Sequence, residues 1–67
     1  VLKKKLGQRI AVLRRTAKLT QAVLAEKSGY SIEFISLVER GIDAPSVEGC
    51  ERIANTLKVS VKDLFDF

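Results

Sequence analysis

The sequence contains no histidine, methionine or tryptophan, and a single cysteine and a single proline among its 67 residues. Without histidine no His-based catalytic triad can be assembled. One cysteine cannot close an intrachain disulfide, which removes the disulfide-stapled scaffolds, and without histidine it cannot build a His/Cys zinc site. No apolar run approaches the roughly 18 residues of a membrane span. A signal-peptide core is not expected, because Lys3, Lys4 and Lys5 follow only two apolar residues. Repeats, low-complexity stretches and linkers are also missing. Nothing groups a nucleophile, a base and an orienting residue, so an enzyme is not expected. No cofactor, metal or small-molecule ligand is implied either. What remains is one small domain over residues 1–67, a cytoplasmic binding module with no membrane partner. Residue 1 is Val, which leaves a longer parent chain open.

What the chain does have is positive charge in one place. It is 46% apolar and 30% charged, with a net charge of +4, a composition of folded domains rather than disordered tails. Residues 1–18 carry seven basic side chains and no acidic one, whereas residues 19–67 carry five basic and eight acidic, a net of −3. Such asymmetry fits an anionic partner, most commonly nucleic acid, and equally fits a solvated basic face.

The apolar spacing is helical throughout. Leu2, Leu6, Ile10, Leu13 and Ala17 mark one face of a first helix. Thr20 is an N-cap residue for a second helix over Gln21–Ser28, and Gly29 supplies the positive φ of a tight turn. Ser31 caps a third helix, Glu33 sits in its first turn, and Gly41 closes it. Asp43–Pro45 reads as a connector. Ser46 caps a fourth helix with Val47, Cys50, Ile53, Ala54 and Leu57 on its apolar face. Ser60 and Asp63 have capping-box spacing, opening a last helix whose apolar side is Val61, Leu64 and Phe65. No segment alternates with period two for long, so the expected fold class is all-α, a compact bundle of five short helices.

The segment from Gln21 to Arg40 has the spacing of a helix-turn-helix. Ala25 is small enough for two helices to cross closely, Gly29 permits the left-handed turn, and Leu24, Tyr30, Ile35 and Val38 hold the second helix on the first. Ser28 departs from the pattern, at a place where an apolar residue is usual. The window resembles the helix-turn-helix of the lambdoid-phage repressor and Cro superfamily, also called the XRE family. Leu6-Gly7, Leu19-Thr20-Gln21, Glu39-Arg40-Gly41, Pro45-Ser46 and Leu64-Phe65 extend the resemblance over nearly the whole chain. The run Ile35–Ser46 looks most like small stand-alone regulators such as restriction–modification controller proteins.

The resemblance implies a sequence-specific transcriptional regulator of double-stranded DNA, with the motif at about residues 20–40 and the recognition helix, residues 31–40, in the major groove. It implies a homodimer on an inverted repeat. Its DNA-facing set is Arg9, Thr20, Gln21, Ser31, Ile32, Glu33, Ser36, Leu37 and Arg40. Gln21 and Arg40 would meet phosphates, as would Arg9, and Ser31, Ile32, Glu33, Ser36 and Leu37 would face base edges. Ile32, Glu33 and Leu37 depart from the Arg, Gln, Asn or Thr common there. Apolar residues suit thymine methyls, and Glu suits a cytosine amino group. An alternative is a protein-interaction module, antitoxin-like or adaptor, using the apolar Ile32, Leu37 and Ile42 surface. The resemblance also implies an ion pair between Arg14 and Glu39.

Other residues read as structural. Cys50 is a small core residue. Glu48 and Arg52 are spaced as an ordinary i,i+4 helix pair. Tyr30 and Phe34 pack in the core or the turn. Val61, Leu64, Phe65 and Phe67 offer more apolar surface than a terminal helix needs, a candidate dimer seam, with packing across the first and last helices as the simpler reading.

Overall fold

Five helices form, four of them opened by a polar capping residue directly before an apolar stripe. The computed structural model describes residues 1–67 and places α1 at Leu2–Thr16, α2 at Gln21–Ser28, α3 at Ile32–Glu39, α4 at Val47–Leu57 and α5 at Val61–Leu64. Thr20, Ser31, Ser46 and Ser60 each accept a hydrogen bond from the backbone N–H three residues on, satisfying a donor that the first helical turn leaves unpaired. The capping box closes on both sides at α5: the Ser60 N–H donates to Asp63 Oδ2 at 3.0 Å and the Asp63 N–H to Ser60 Oγ at 3.3 Å. Gly29 ends α2 with φ +80°. Two lysines, Lys18 and Lys58, take the same left-handed conformation after α1 and α4, with φ near +60°.

The core draws on all five helices: Leu6 and Ile10 from α1, Leu24 and Ala25 from α2, Ile35 and Val38 from α3, Cys50, Ile53, Ala54 and Leu57 from α4, and Leu64 from α5. Removing these side chains from water is the main drive to fold, roughly 1.5–3 kcal/mol for each large one. Helix α1 lies against α3 and α5, while α2 packs between α3 and α4. The α1–α3 approach is close at Gly7, where a Cβ would collide with the Val38 carbonyl oxygen. At Gly49 a Cβ would collide with the Tyr30 hydroxyl. Tyr30 stacks on Phe34 with ring centroids 4.6 Å apart, so both are packing residues at the turn.

Several sequence expectations need correction. Leu2 and Ala17 lie on the expected stripe of α1 but are exposed, because one lies at the helix's first residue and the other past its last. Val47 is 80% exposed, since Gly49, Cys50, Ile53, Ala54 and Leu57 set the inner face of α4 and Val47 lies roughly a quarter turn from its centre. Phe65 falls outside α5 and is exposed. Arg52 does not pair with Glu48. Its Nε donates to the Ser28 carbonyl at 2.8 Å, and its guanidinium lies 4.9 Å from the centre of the Tyr30 ring. Ser28 is fully buried where an apolar residue is usual, and its hydroxyl donates to the Leu24 carbonyl at 2.7 Å. That bond lets the hydroxyl enter the core without an unmet donor.

Candidate nucleic-acid interface

The orientation of α3 follows from which of its residues are buried. Ile35 and Val38 are fully enclosed, and helical geometry then turns residues 32, 33, 36, 37 and 40 outward. Ile32, Glu33 and Arg40 are exposed, while Ser36 and Leu37 are half-buried. Together with Gln21, the first residue of α2, these side chains line one open depression of about 380 Å³. Two of the six are hydrophobic, and Arg40 and Glu33 carry its only charges.

The remaining members of the expected set lie elsewhere. Thr20 and Ser31 use their hydroxyls as caps, accepting from the Val23 and Phe34 N–H groups at 3.1 Å each. They border the depression without lining it. Arg9 is turned toward α5. Its Nε donates to the Asp63 carbonyl at 2.8 Å, and its Nη2 is 4.0 Å from Asp66 Oδ2.

Behind the depression lies a nearly closed polar network. Arg14 Nε donates to Glu39 Oε2 at 2.7 Å and Nη2 to Glu39 Oε1 at 3.1 Å. Nη1 donates to the Leu19 carbonyl at 2.9 Å. The two side chains are only 13% and 7% exposed. Two parallel charge-assisted bonds of this kind fix geometry as well as energy. The expected ion pair is therefore present. Sequence reasoning missed its third member: Gln21 Nε2 donates to Glu39 Oε1 at 3.0 Å. The Glu39 carboxylate thus ties the end of α1, the start of α2 and the end of α3 together. No periodicity links positions 21 and 39. The available signal was that the motif brings the start of its first helix near the end of its second.

No group of three or more His, Cys, Asp or Glu side chains converges on a point where a metal would sit. Cys50 is enclosed in the core, where burial pushes its thiol pKa above the ordinary value and disfavours the reactive thiolate. No helix is long and apolar enough to cross a membrane.

Comparison with known proteins places this arrangement. A family model described as a helix-turn-helix domain matches residues 5–66. This chain belongs to the helix-turn-helix domain family. Helices α2 and α3 follow one another across the left-handed turn at Gly29, and the five-helix all-α architecture is the one expected from the sequence. An uncharacterised HTH-type transcriptional regulator of Mycobacterium tuberculosis is 41% identical over 59 residues, covering 88% of this chain and 42% of the relative. The immunity repressor protein of Bacillus phage phi105 is 40% identical over 55 residues, covering 82% of this chain and 38% of the relative. The domain thus spans about two fifths of the length of these relatives. Among solved structures, the restriction–modification controller protein C.AhdI of Aeromonas hydrophila superposes with a TM-score of 0.91 at 33% identity, covering 94% of this chain and 96% of that one. These relatives are named as regulators, repressor and controller, not as enzymes.

Proposed function

We propose that this domain binds double-stranded DNA to regulate transcription in the cytoplasm, with α3 lying in the major groove. One observation carries the reading: α3 is gripped on its inner face by the core and at its end by the Arg14–Glu39–Gln21 network, while its outer face is left open to solvent. A rigid helix with a free outer row is what base-edge recognition requires. Within this reading Ile32 and Leu37 meet thymine methyls, Glu33 accepts from a cytosine amino group, and Ser36 bonds to a base edge or the backbone. Gln21 and Arg40 line the same depression and meet phosphates. The Gln21 amide keeps a second N–H beyond the one given to Glu39. Thr20 and Ser31 contribute through the helix starts they cap, whose free N–H groups favour phosphate. Arg9 is left out of the contact set, because its guanidinium is engaged with α5.

The reading extends to a homodimer on an inverted repeat. The body measures 26 × 22 × 21 Å, less than one turn of duplex at about 34 Å, so one copy reaches only a few base pairs. Phe65 and Phe67 are exposed and close to each other, 6.4 Å between ring centroids, and Val61 is half-buried against the core. Leu64, also expected at the seam, is fully buried and belongs to the core.

A second reading has an observation in its favour. Ile32 and Ile42 are 44% and 56% exposed, and an apolar row with one acid suits a protein partner. Ile32→Gln with Leu37→Gln separates the two. Loss of an apolar contact at two bases weakens a bound duplex by about tenfold or more, at an unchanged melting temperature. Unchanged duplex affinity in that variant favours the protein partner.

A further inference from the structure

The outer row of α3 is poor in positive charge for a helix that approaches phosphates. Arg40 is its only cation, and the last turn of α3 contains no basic residue. The loop that follows adds Ile42 and the acidic Asp43. The packing of α1 alters this balance. Gly41, at φ +77°, lies so close to α1 that a Cβ on it would come within 2.8 Å of Lys4 Cα and 3.3 Å of Lys4 Cγ. One residue on, the Ile42 carbonyl accepts from Lys3 Nζ at 3.4 Å. Both lysines are exposed.

The three-lysine run is thereby divided by helical phase. Lys5 lies 5.9 Å from the centre of the Phe67 ring, and Arg9, one turn on, bonds to α5. Lys3 and Lys4 instead lie against Ile42 and Gly41, the residues that directly follow Arg40. Of the acids flanking this corner, Glu39 is taken up in its ion pair, and Asp43, exposed and accepting from the Ala44 N–H at 2.8 Å, keeps its charge beside the two lysines and Arg40.

We propose that Lys3 and Lys4, carried by α1 and set against the Gly41–Ile42 loop, form with Arg40 a phosphate-contacting cluster at the C-terminal border of the recognition helix. The ligand is the phosphodiester backbone of duplex DNA. The inference rests on the DNA-binding reading above and adds to it two contacts from outside the helix-turn-helix. The bond from Lys3 Nζ is long and solvent-exposed, so a phosphate oxygen replaces the Ile42 carbonyl at little cost. The C-terminal carbonyls of α3 also attract cations, which holds the lysines near the groove in the free protein.

The test is the salt dependence of binding to a 30-base-pair duplex of mixed sequence, for wild type, K3Q/K4Q and the control K5Q/K62Q. Both variants lose two positive charges, so net charge alone affects them equally. Each phosphate contact contributes about 0.9 to the slope of log affinity against log salt. K3Q/K4Q is expected to lower the slope by about 1.8, with an affinity loss that grows as salt is reduced, and K5Q/K62Q to stay within about 0.5 of wild type. Thermal melts of all three proteins establish that the variants remain folded. A K3Q/K4Q slope equal to that of the control overturns this inference and leaves the DNA-binding reading standing. A wild type that binds no duplex even at low salt overturns both.

Discussion

Removing the Arg14 guanidinium while leaving Glu39 in place is the sharpest perturbation the structure offers. The Arg14→Ala chain keeps a carboxylate whose side chain is 7% exposed, with only Gln21 still donating to it. It also leaves the Leu19 carbonyl without the Nη1 donor. Breaking a buried ion pair by deleting one partner costs roughly 3–5 kcal/mol. The surviving Gln21 bond and the residual exposure place this case near the lower end, about 3 kcal/mol. A domain of this size has only about 3–10 kcal/mol in total, so the change consumes a large share. At roughly 4–8 °C per kcal/mol, the melting temperature falls by about 12–24 °C. Urea titration followed by circular dichroism measures the loss, and the double variant Arg14→Met with Glu39→Leu provides the control. Replacing both partners by apolar side chains of similar volume leaves no isolated charge, only the Leu19 carbonyl and the Gln21 amide without their partners, and is expected to cost about 1–2 kcal/mol. If Arg14→Ala loses no more than about 1 kcal/mol, the pair behaves as an exposed one, and the network does not fix the start of α2 against the end of α3.

Three further outcomes are expected. Gly7→Ala forces α1 away from the Val38 carbonyl and costs about 1–3 kcal/mol in the same titration; an Ala variant as stable as wild type refutes the close helix approach. The Asp63 carboxyl is held below its ordinary pKa by hydrogen bonds from the Ser60 N–H and then the Ser60 hydroxyl, with Arg9 and Lys62 adding smaller charge effects. Its stabilising contribution is therefore complete above the unfolded Asp value near 3.9 and is lost as pH falls through the lower folded value, so the stability gap between wild type and Asp63→Ala narrows between pH 5 and pH 2. A gap that is constant over this range contradicts the capping assignment. Cys50 is expected to react with a thiol reagent such as dithionitrobenzoate only at the rate of unfolding, and fast labelling at neutral pH in the absence of denaturant removes it from the core.

Local signals proved legible wherever the physics is local. Thr20, Ser31, Ser46 and Ser60 are short polar residues directly before apolar periodicity, and all four cap helices as that position implies. Gly29 takes the left-handed turn for the same reason. The outward row of α3 was readable because its phase follows from Ile35 and Val38. What the sequence could not convey was how far each helix is covered by its neighbours. Leu2 is one turn before the buried Leu6 and still exposed, because periodicity gives direction around a helix axis and not the extent of the layer above it. Long-range polar links were equally hidden. Arg52 passes over its i,i+4 neighbour for a carbonyl 24 residues away, and Gln21 reaches Glu39. The left-handed Lys18 and Lys58 carry no compositional signal at all, since the residue type disfavours the conformation that the helix ends impose.

If the outer row of α3 reads a DNA sequence, that sequence is recoverable by selection. Selection from a random double-stranded library with the purified chain, at about physiological salt, tests it most directly. Enrichment of an inverted repeat with half-sites about one helical turn apart is expected, with the preference at one position altered by Glu33→Ala. A library that emerges without sequence preference, with or without bound protein, contradicts it.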